Sequence, residues 1–241
     1  MTEARLKQLC KDHQLYLTPA LNDVLYLHYQ GFFEIENLDE YSELRCLWLQ
    51  NNHLRTLSRG LSHLTKLRAL YLHHNHITCL DGLQPLTSLV TLNLCHNHIT
   101  NVDFLDGLPQ LETLQLSHNQ LRSADSISSL RRCRALSSLD LSHNLLAGAC
   151  VQDVGLVVAD IPKLRVLQLQ GNPCVASIRQ YRSSVTVKCC NLTYLDDSPV
   201  FPVDRAAAEA WATKGEEAAQ AVRLKWKQDE MDKVANCVNG E

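Results

Sequence analysis

The sequence lacks the features by which several classes of protein are recognised. None of its 241 residues lies in an apolar stretch long enough to span a bilayer, and the opening MTEARLKQLCKDHQ lacks the apolar core of a signal peptide. There is no run of Lys or Arg, and the formal net charge is −3. Nonspecific binding to nucleic acid or to a membrane surface needs a concentrated positive field, so both are disfavoured. These absences predict a cytosolic or nuclear protein.

Motifs of catalysis and of zinc binding are also missing. No nucleophile elbow, Walker A loop, dinucleotide-binding glycine motif or HExxH pair occurs, so we expect neither enzyme activity nor a cofactor. None of the ten cysteines forms a CxxC pair, and the adjacent Cys189 and Cys190 suit neither a disulfide nor a zinc site. We interpret the cysteines as small, partly buried apolar side chains. Four of them occur singly along the chain: Cys46, Cys79, Cys95 and Cys133.

What the sequence does contain is a repeat. Six segments follow the template L-x-x-L-x-L-x-x-N-x-L/I, the last with Cys at its final position: 44–54, 67–77, 89–99, 111–121, 136–146 and 164–174. Residues 22–32 form a degenerate first copy. The spacing between the template asparagines is 22 or 23 residues in the first units and then 25 and 28 residues. This pattern is typical of a leucine-rich-repeat array.

The array predicts an α/β solenoid with a curved parallel sheet on its concave face. Each L-x-L core predicts a short strand, and the apolar residues that follow at three- to four-residue spacing predict a short helix or 3₁₀ turn on the convex face. The fifth and sixth units are lengthened through 128–134 and 145–161, where we predict true α-helices. A C-terminal cap and a terminal helix complete the predicted fold.

We divide the chain into an N-terminal cap at 1–20, leucine-rich repeats at 21–180, a C-terminal cap at 181–203, and a C-terminal helix with a frayed tail at 204–241. A solenoid needs caps because its terminal units have no neighbour to bury their apolar side. A helix is predicted at 3–13, and Thr18-Pro19 predicts the start of a short turn. The tail from Asn236 to Glu241 is predicted to fray.

The C-terminal cap contains polar residues beside apolar ones. Tyr181 and Leu195 are predicted to close the core, together with Val185 and Leu192, while Asp196 and Asp197 either cap backbone N–H groups or pair with Arg182. The following helix carries an apolar stripe interrupted by Gly215: Ala208, Trp211, Ala218, Val222 and Trp226. We expect Trp211 to dock on the cap, and we leave open whether Trp226 docks or awaits a partner.

The template asparagines are predicted to form a ladder. Each amide can pair with backbone groups of its own turn and of the adjacent turn, which would otherwise be buried without partners. The predicted ladder consists of Asn52, Asn75, Asn97, Asn119, Asn144 and Asn172.

Histidines form two columns beside the ladder. Four precede a ladder Asn (His74, His96, His118 and His143) and three follow one (His53, His76 and His98). Members of a column should lie roughly 5 Å apart. A zinc site needs ligands that converge on one point, whereas a column offers a line, so we predict solvent-facing edge residues and no metal site. Protonation of such a row in mild acid would create like-charge repulsion.

One column on the concave face is the candidate binding site. It consists of the residue between the two strand leucines of each unit: Tyr26, Trp48, Tyr71, Asn93, Gln115, Asp140 and Gln168. Exposed Trp and Tyr supply much of the contact energy at interfaces, so the first three predict an anchor for a protein partner. The polar members would set its orientation. The alternative is that the aromatics are merely strand residues of high β-propensity.

The two ends of the sequence resemble a known family more specifically than the repeats do. The repeats are of the short SDS22-like type. The closing segment YRSSVTV…LTYLDDSPVFPVDRAAAEAWA and the opening segment CKDHQLYLTPALNDVLYLHYQGFFEIENLDEYSELRCLWL resemble the leucine-rich-repeat axonemal dynein assembly factors, also called outer-arm dynein assembly proteins. Family members usually continue into a long charged, coiled-coil-prone extension. We therefore do not expect these 241 residues to perform a function that lies in that extension.

The resemblance implies a non-catalytic, cytoplasmic protein-binding scaffold for the assembly of axonemal dynein arms during cilium or flagellum biogenesis. Its implied partners are axonemal dynein chains or chaperone co-factors, with no nucleic acid and no membrane, and we expect a monomer. Two alternatives stay open. One is a structural dynein-associated subunit resident on the axoneme, and the other is an SDS22-like regulatory or spliceosomal scaffold.

Overall fold

In the described part of the chain, nine strands form one sheet in which the order across the sheet follows the order along the chain. The computed structural model describes residues 1–57, 60–147 and 150–239. Seven three-residue strands run parallel, each in register with the next: β1 (Val24–Tyr26), β2 (Cys46–Trp48), β3 (Ala69–Tyr71), β4 (Thr91–Asn93), β5 (Thr113–Gln115), β6 (Ser138–Asp140) and β7 (Val166–Gln168). β8 (Tyr194–Leu195) extends the parallel sheet, and β9 (Ser198–Pro199) pairs with β8 antiparallel. The predicted leucine-rich-repeat solenoid is confirmed.

The strands form where they do because leucine alternates with other residues. Successive side chains of a strand point to opposite faces, so the central Leu of each strand enters the core while its two neighbours face the concave surface. The central residues are all fully buried: Leu25, Leu47, Leu70, Leu92, Leu114, Leu139 and Leu167. They belong to one continuous apolar core that runs the length of the solenoid.

The convex side is less helical than predicted. In the described parts of the first three units it is crossed by turns without a regular helix, and the fourth unit has only a 3₁₀ turn at Leu105–Gly107. Units of 22 or 23 residues leave too few residues for a full α-helix after the strand and the two turns. The sixth unit, which is longer, contains the predicted α-helix, α2 (Cys150–Ala159).

The fifth unit contradicts the prediction of an α-helix, because it forms a 3₁₀ helix at Asp125–Arg132. Ala124, Ile127, Leu130 and Cys133 are all buried, and they recur at intervals of three residues. A 3₁₀ helix has three residues per turn, so this spacing places all four side chains on one face, whereas an α-helix would rotate them progressively away from the core.

The six ladder asparagines are buried and link consecutive units. Asn97 is representative: Nδ2 donates to the carbonyl oxygen of Leu94 in its own unit (3.0 Å) and of Leu72 in the preceding unit (3.1 Å). Oδ1 accepts the backbone N–H of Ile77, also in the preceding unit (3.0 Å). The same three contacts recur at the other ladder positions: Asn52, Asn75, Asn119, Asn144 and Asn172.

At the N-terminus a helix covers the first unit. α1 (Glu3–Asp12) begins after Thr2, whose hydroxyl oxygen accepts the backbone N–H of Arg5. It buries Leu6, Leu9 and Cys10 against the core. A 3₁₀ turn at Pro19–Leu21 follows Thr18 and leads into β1.

At the C-terminus the polar cap residues satisfy backbone groups. Asp196 Oδ1 accepts the backbone N–H groups of Leu169 (2.8 Å) and Gln170 (3.1 Å) at the end of β7. Of the two roles left open for this carboxylate, the structure has the backbone cap. Arg182 donates instead to the backbone oxygens of Leu195, Ser198 and Pro199.

The other cap residues lie around this contact. Leu195 is fully buried, and Asp197 Oδ1 accepts the Gln170 side-chain amide at 3.5 Å. Tyr181 opens α4 (Tyr181–Lys188), which follows the short α3 (Pro173–Ser177). Burial, and to a smaller extent the Asp196 carboxylate, raises the pKa of the Tyr181 phenol, so it stays neutral.

Arg205 closes the same end of the chain. Its guanidinium donates to the backbone oxygens of Thr186, Cys189 and Leu192 at distances from 2.7 to 3.4 Å. The first two oxygens belong to the C-terminal end of α4, where unpaired carbonyls favour a cation. Arg205 therefore fixes α5 (Pro202–Lys214) on α4, and the two helices pack together.

The stripe after the cap belongs to two helices. α5 ends at Gly215, whose φ of +87° suits glycine, and α6 (Glu216–Asn239) then packs against α5. Trp211 is partly buried and lines a cavity of about 630 Å³ with Val154 of α2 and Val185 of α4, so its docking on the cap stays a prediction.

The far part of α6 is exposed. Trp226 is 39% exposed and Leu224 69% exposed. The prediction that the tail frays from Asn236 onward is wrong up to Asn239, because α6 continues to that residue. Gly240 and Glu241 lie outside the described residues.

The cysteines differ in exposure. Cys10, Cys133 and Cys189 are buried, whereas Cys46 and Cys95 are partly buried. Our interpretation of the cysteines as partly buried is wrong for Cys79, Cys190 and Cys237, which are exposed. Cys79 and Cys190 lie in surface loops, and Cys237 lies in the exposed far part of α6. No disulfide joins cysteines in the described ranges. Within those ranges, no helix combines the length and the apolarity needed to cross a bilayer.

Deletion of residues 181–241 should make the protein aggregate or melt at a much lower temperature, because it uncovers the apolar end of the last unit. Thermal unfolding followed by circular dichroism would measure this. The matched control ends after residue 222 and removes only the part of α6 whose described side chains are exposed. An unchanged transition after the larger deletion would show that the core does not depend on the cap.

Replacing Asn97 by Ala should destabilise the protein by about 1–3 kcal/mol for each buried backbone group left unpaired. The control is His96→Asn at pH 7.5, because His96 is exposed and has a φ of +54°, which Asn tolerates. Denaturant unfolding would compare the two variants. Equal losses of unfolding free energy would contradict a special role of the ladder amide.

Candidate functional site

The structure places the candidate concave column in one continuous line. Parallel pairing joins Tyr26 to Trp48, Trp48 to Tyr71, and so on through the polar members Asn93, Gln115, Asp140 and Gln168. All seven side chains are partly buried. The alignment follows from the repeat length, because each strand begins one full unit after the previous one.

The three aromatic rings stack on one another. The centroids of Trp48 and Tyr71 are 3.9 Å apart with planes 13° from parallel, and those of Tyr26 and Trp48 are 6.3 Å apart at 28°. We expected exposed aromatics, but the rings are partly buried because each covers part of its neighbour. A ligand would therefore meet mainly the ring edges of Trp48 and Tyr71, because their facing surfaces already contact each other.

Two histidines extend this row, and the repeat pattern did not reveal them. His13, at the end of α1, has its ring centroid 5.1 Å from that of Tyr26 and 6.0 Å from that of His28. His28 lies edge-on to Tyr26 at 6.2 Å. His28 could have been found, because it is two residues after Tyr26 and so faces the same side. His13 belongs to a different element, and only the packing of α1 brings it to the row. We call Tyr26, Trp48, Tyr71, His13 and His28 the aromatic row.

The polar members of the column are partly engaged by their own chain. Asn93 Oδ1 accepts the backbone N–H of Cys95 at 3.1 Å. Asp140 Oδ1 accepts the backbone N–H of Ser142 at 2.9 Å and its hydroxyl at 2.7 Å. These contacts fix the turn that follows each strand, so Asn93 and Asp140 have a structural role besides any role toward a partner.

The Tyr71 phenol and the neighbouring Cys46 thiol stay uncharged near neutral pH. Burial raises the pKa of the Tyr71 phenol, with a smaller contribution from Cys46. Burial likewise raises the pKa of the Cys46 thiol, which also lies near the Asp23 carboxylate. At Tyr71 and Cys46 the concave face therefore carries no charge near neutral pH.

The histidines that precede the ladder form a continuous stack of rings. The centroids of His74 and His96 are 4.2 Å apart, those of His96 and His118 are 4.2 Å apart, and those of His118 and His143 are 4.5 Å apart. All four are exposed and have φ between +52° and +56°, a left-handed conformation that His adopts more readily than most residues. In the next unit Gly171 takes this position, and a Cβ there would clash with the ring of His143.

The stacked rings are arranged along a line and not around a point. In the described part of the chain, no group of three or more His, Cys, Asp or Glu side chains is arranged to hold a metal ion. The stacked rings lie face to face, so their nitrogens are distributed along a line.

The chain is similar to known proteins at two levels. The model of the family "Leucine Rich repeats (2 copies)" matches residues 42–85 and 87–132. Over 238 residues the chain is 53% identical to "Dynein axonemal assembly factor 1" of Homo sapiens, covering 99% of this chain and 32% of that protein. The corresponding protein of Peromyscus polionotus is 55% identical over 236 residues, covering 98% of this chain and 37% of that protein. The "Dynein axonemal assembly factor 1 homolog" of Drosophila erecta is 46% identical over 240 residues, with coverages of 99% and 16%.

The chain thus spans about a third or less of the length of these relatives. Among solved structures, an internalin C2 of Listeria monocytogenes has a TM-score of 0.56 at 23% identity, covering 79% of this chain and 91% of that one. An internalin, inlF, of the same organism has a TM-score of 0.55 at 18% identity, with coverages of 80% and 68%. At these identities the likeness concerns the fold alone.

The histidine stack predicts a loss of stability in mild acid. Burial, then the neighbouring His118, His74 and His143, lowers the pKa of His96 below its ordinary value of 6.5, and burial lowers that of His73. The folded state then binds fewer protons than the unfolded state, so the stabilisation present above pH 6.5 is lost as the pH falls below it. We expect the melting temperature to fall between pH 7.5 and 5.5, and to fall less in His96→Asn.

The measurement is thermal unfolding of both proteins at the two pH values. For a chain of this size, each kcal/mol lost lowers the melting temperature by about 2–4 °C. A fall of equal size in the wild type and the variant would show that the stacked rings do not repel one another.

Proposed function

We propose a function for this chain from one premise: it is a leucine-rich-repeat protein, homologous over nearly its whole length to proteins named dynein axonemal assembly factor 1. On this proposal the chain is a non-catalytic protein-binding scaffold that acts in the assembly of axonemal dynein. It works in the cytoplasm of cells that build a cilium or flagellum. Its partners are axonemal dynein chains or chaperone co-factors, which it binds as a monomer.

The aromatic row is the observation that carries this proposal. Tyr26, Trp48 and Tyr71 are held against one another before any partner arrives, so binding would cost little side-chain entropy. Ring edges and the faces left uncovered offer apolar contact area on a rigid sheet. A concave surface of this kind is also where solenoid proteins generally bind their ligands.

Position within the row ranks its members. Trp48 lies between Tyr26 and Tyr71, where a bound partner would exclude water most completely. Central, desolvated aromatics contribute most to binding at protein interfaces. The polar column from Asn93 to Asp140 would then set the orientation of the partner more than its affinity.

Fractionation of flagellated cells separates this proposal from the two alternatives. An assembly scaffold should be found mainly in the soluble cytoplasm. A structural subunit should remain with detergent-extracted axonemes, and a spliceosomal scaffold should be nuclear. Retention on the extracted axoneme or in the nucleus would overturn the proposed role.

Trp48→Ala should weaken partner binding by about 2 kcal/mol or more, which is roughly a 30-fold loss of affinity. Wild-type and variant proteins would be used to capture dynein chains and chaperone co-factors from the cytoplasm of cells building flagella. Gln115→Ala is the matched control, because it shortens a side chain of the same column outside the aromatic row. Circular dichroism first establishes that all three proteins are folded. Equal capture by the folded Trp48→Ala protein would place the interface elsewhere, with the exposed part of α6 around Trp226 as the next candidate.

A further inference from the structure

Three histidines outside the concave face form a chain of ring nitrogens. His53, His76 and His98 occupy the same position in consecutive units, directly after a ladder Asn. Nδ1 of His53 lies 3.5 Å from Nε2 of His76, and Nδ1 of His76 lies 3.5 Å from Nε2 of His98. The ring planes are parallel to within 4° and 11°. The chain ends at Gln120, whose Nε2 lies 3.1 Å from Nδ1 of His98. We call these four residues the imidazole chain.

The orientation of the Gln120 amide sets the position of the proton on each neutral ring. An amide nitrogen donates and does not accept, so Nδ1 of His98 must accept from it. The proton of neutral His98 is then on Nε2, which donates to Nδ1 of His76. By the same reasoning Nε2 of His76 carries a proton and donates to Nδ1 of His53. One side chain at the end of the chain therefore sets the tautomer of three rings.

This arrangement limits how the rings can be protonated. Every Nδ1 already accepts a hydrogen bond, so no ring can gain a proton without a rearrangement. If the Gln120 amide turns over, Oε1 faces His98 and can accept a hydrogen bond from a protonated Nδ1. The chain then holds one added proton with all of its hydrogen bonds intact. The proton can be on any of the three rings, provided that the rings between it and Gln120 switch tautomer.

A second proton does not fit in the same way. It would place N–H groups on both sides of one nitrogen–nitrogen contact, which breaks that hydrogen bond and brings two positive rings together. Carboxylates do not offset this charge, since none forms an ion pair with these rings in the described ranges. Phe33 packs against His53 with ring centroids 5.2 Å apart, and Arg55 and Arg122 lie two residues beyond His53 and Gln120.

The other titratable groups of these turns are the stacked histidines His74, His96, His118 and His143, each directly before a ladder Asn. They are themselves bases and would add to the repulsion when charged.

We propose that His53, His76, His98 and Gln120 form a binding site for a single proton, which the three rings take up from solvent as one unit. The step forms one N–H bond, takes its proton from hydronium, and oxidises or reduces nothing. The edge of the solenoid consequently gains one positive charge in mild acid, where three independent exposed rings would give three.

The test reads the tautomer of each ring by two-dimensional nitrogen–proton NMR of the folded chain at pH 8. In the wild type all three rings should carry the proton on Nε2. In Gln120→Glu the carboxylate only accepts, so His98 should switch to Nδ1–H, and the switch should pass through His76 to His53. Gln115→Glu is the matched control, because it makes the same substitution on the concave face, and it should leave the three tautomers unchanged.

A second variant tests transmission through the middle ring. His76→Phe keeps a planar ring but has no ring nitrogen, so adding it to Gln120→Glu should leave His53 with the tautomer distribution of an isolated imidazole. If His98 switches in Gln120→Glu while His53 does not, the rings do not act as a unit and the proposal fails.

Titration of the wild type by the same spectra counts the protons. The protonated fractions of the three rings should add up to one before a second proton binds at lower pH. Full protonation of all three rings in a single step would overturn the proposal. Circular dichroism of each variant confirms folding, and position 120 is only partly buried, so the substitution there is tolerated sterically.

Discussion

The solenoid depends on the hydrogen bonds by which a buried asparagine joins each unit to the preceding one. A strand of three residues makes few ladder hydrogen bonds, and the turn that follows it is buried against the next unit. Each ladder amide pairs with carbonyl oxygens of its own and the preceding unit and accepts one N–H from the preceding unit. A buried backbone group without a partner costs more free energy than its hydrogen bond contributes when it is made. The position of the ladder amide therefore determines where the chain can turn. The leucine core stabilises the stack, whereas the asparagines define its spacing.

Much of the fold was predictable because one spacing is repeated. Leucine at alternate positions identifies the strand and its buried face, and the constant distance between asparagines sets the register of Tyr26, Trp48 and Tyr71. The convex side was harder to predict, since spacings of three and of three to four residues look alike in a short segment. In the fifth unit the strict spacing of three from Ala124 to Cys133 was the available signal for a 3₁₀ helix.

The candidate site was predictable in position but not in geometry. The repeat shows which side chains share a column, but it does not contain their rotamers, which depend on contacts between neighbouring units. The close stacking of Trp48 on Tyr71 and the order of ring nitrogens from His53 to Gln120 both arise from such contacts. His13 joins the aromatic row from α1, and a contact between distant elements leaves no periodic trace in the sequence.

The ladder hydrogen bonds reach only from one unit to its immediate neighbour, and this gives the molecule a modular length. A duplicated internal unit would find the same carbonyl and N–H partners on both sides, so the array could lengthen or shorten by whole units without redesign of its core. Such a change would alter function all the same. An extra unit after Tyr71 would move the polar half of the concave column about 4.8 Å further from the aromatic half. If the concave column binds a partner as proposed, the number of units sets the distance between its aromatic and polar halves, and the dimensions of the partner would hold that number fixed.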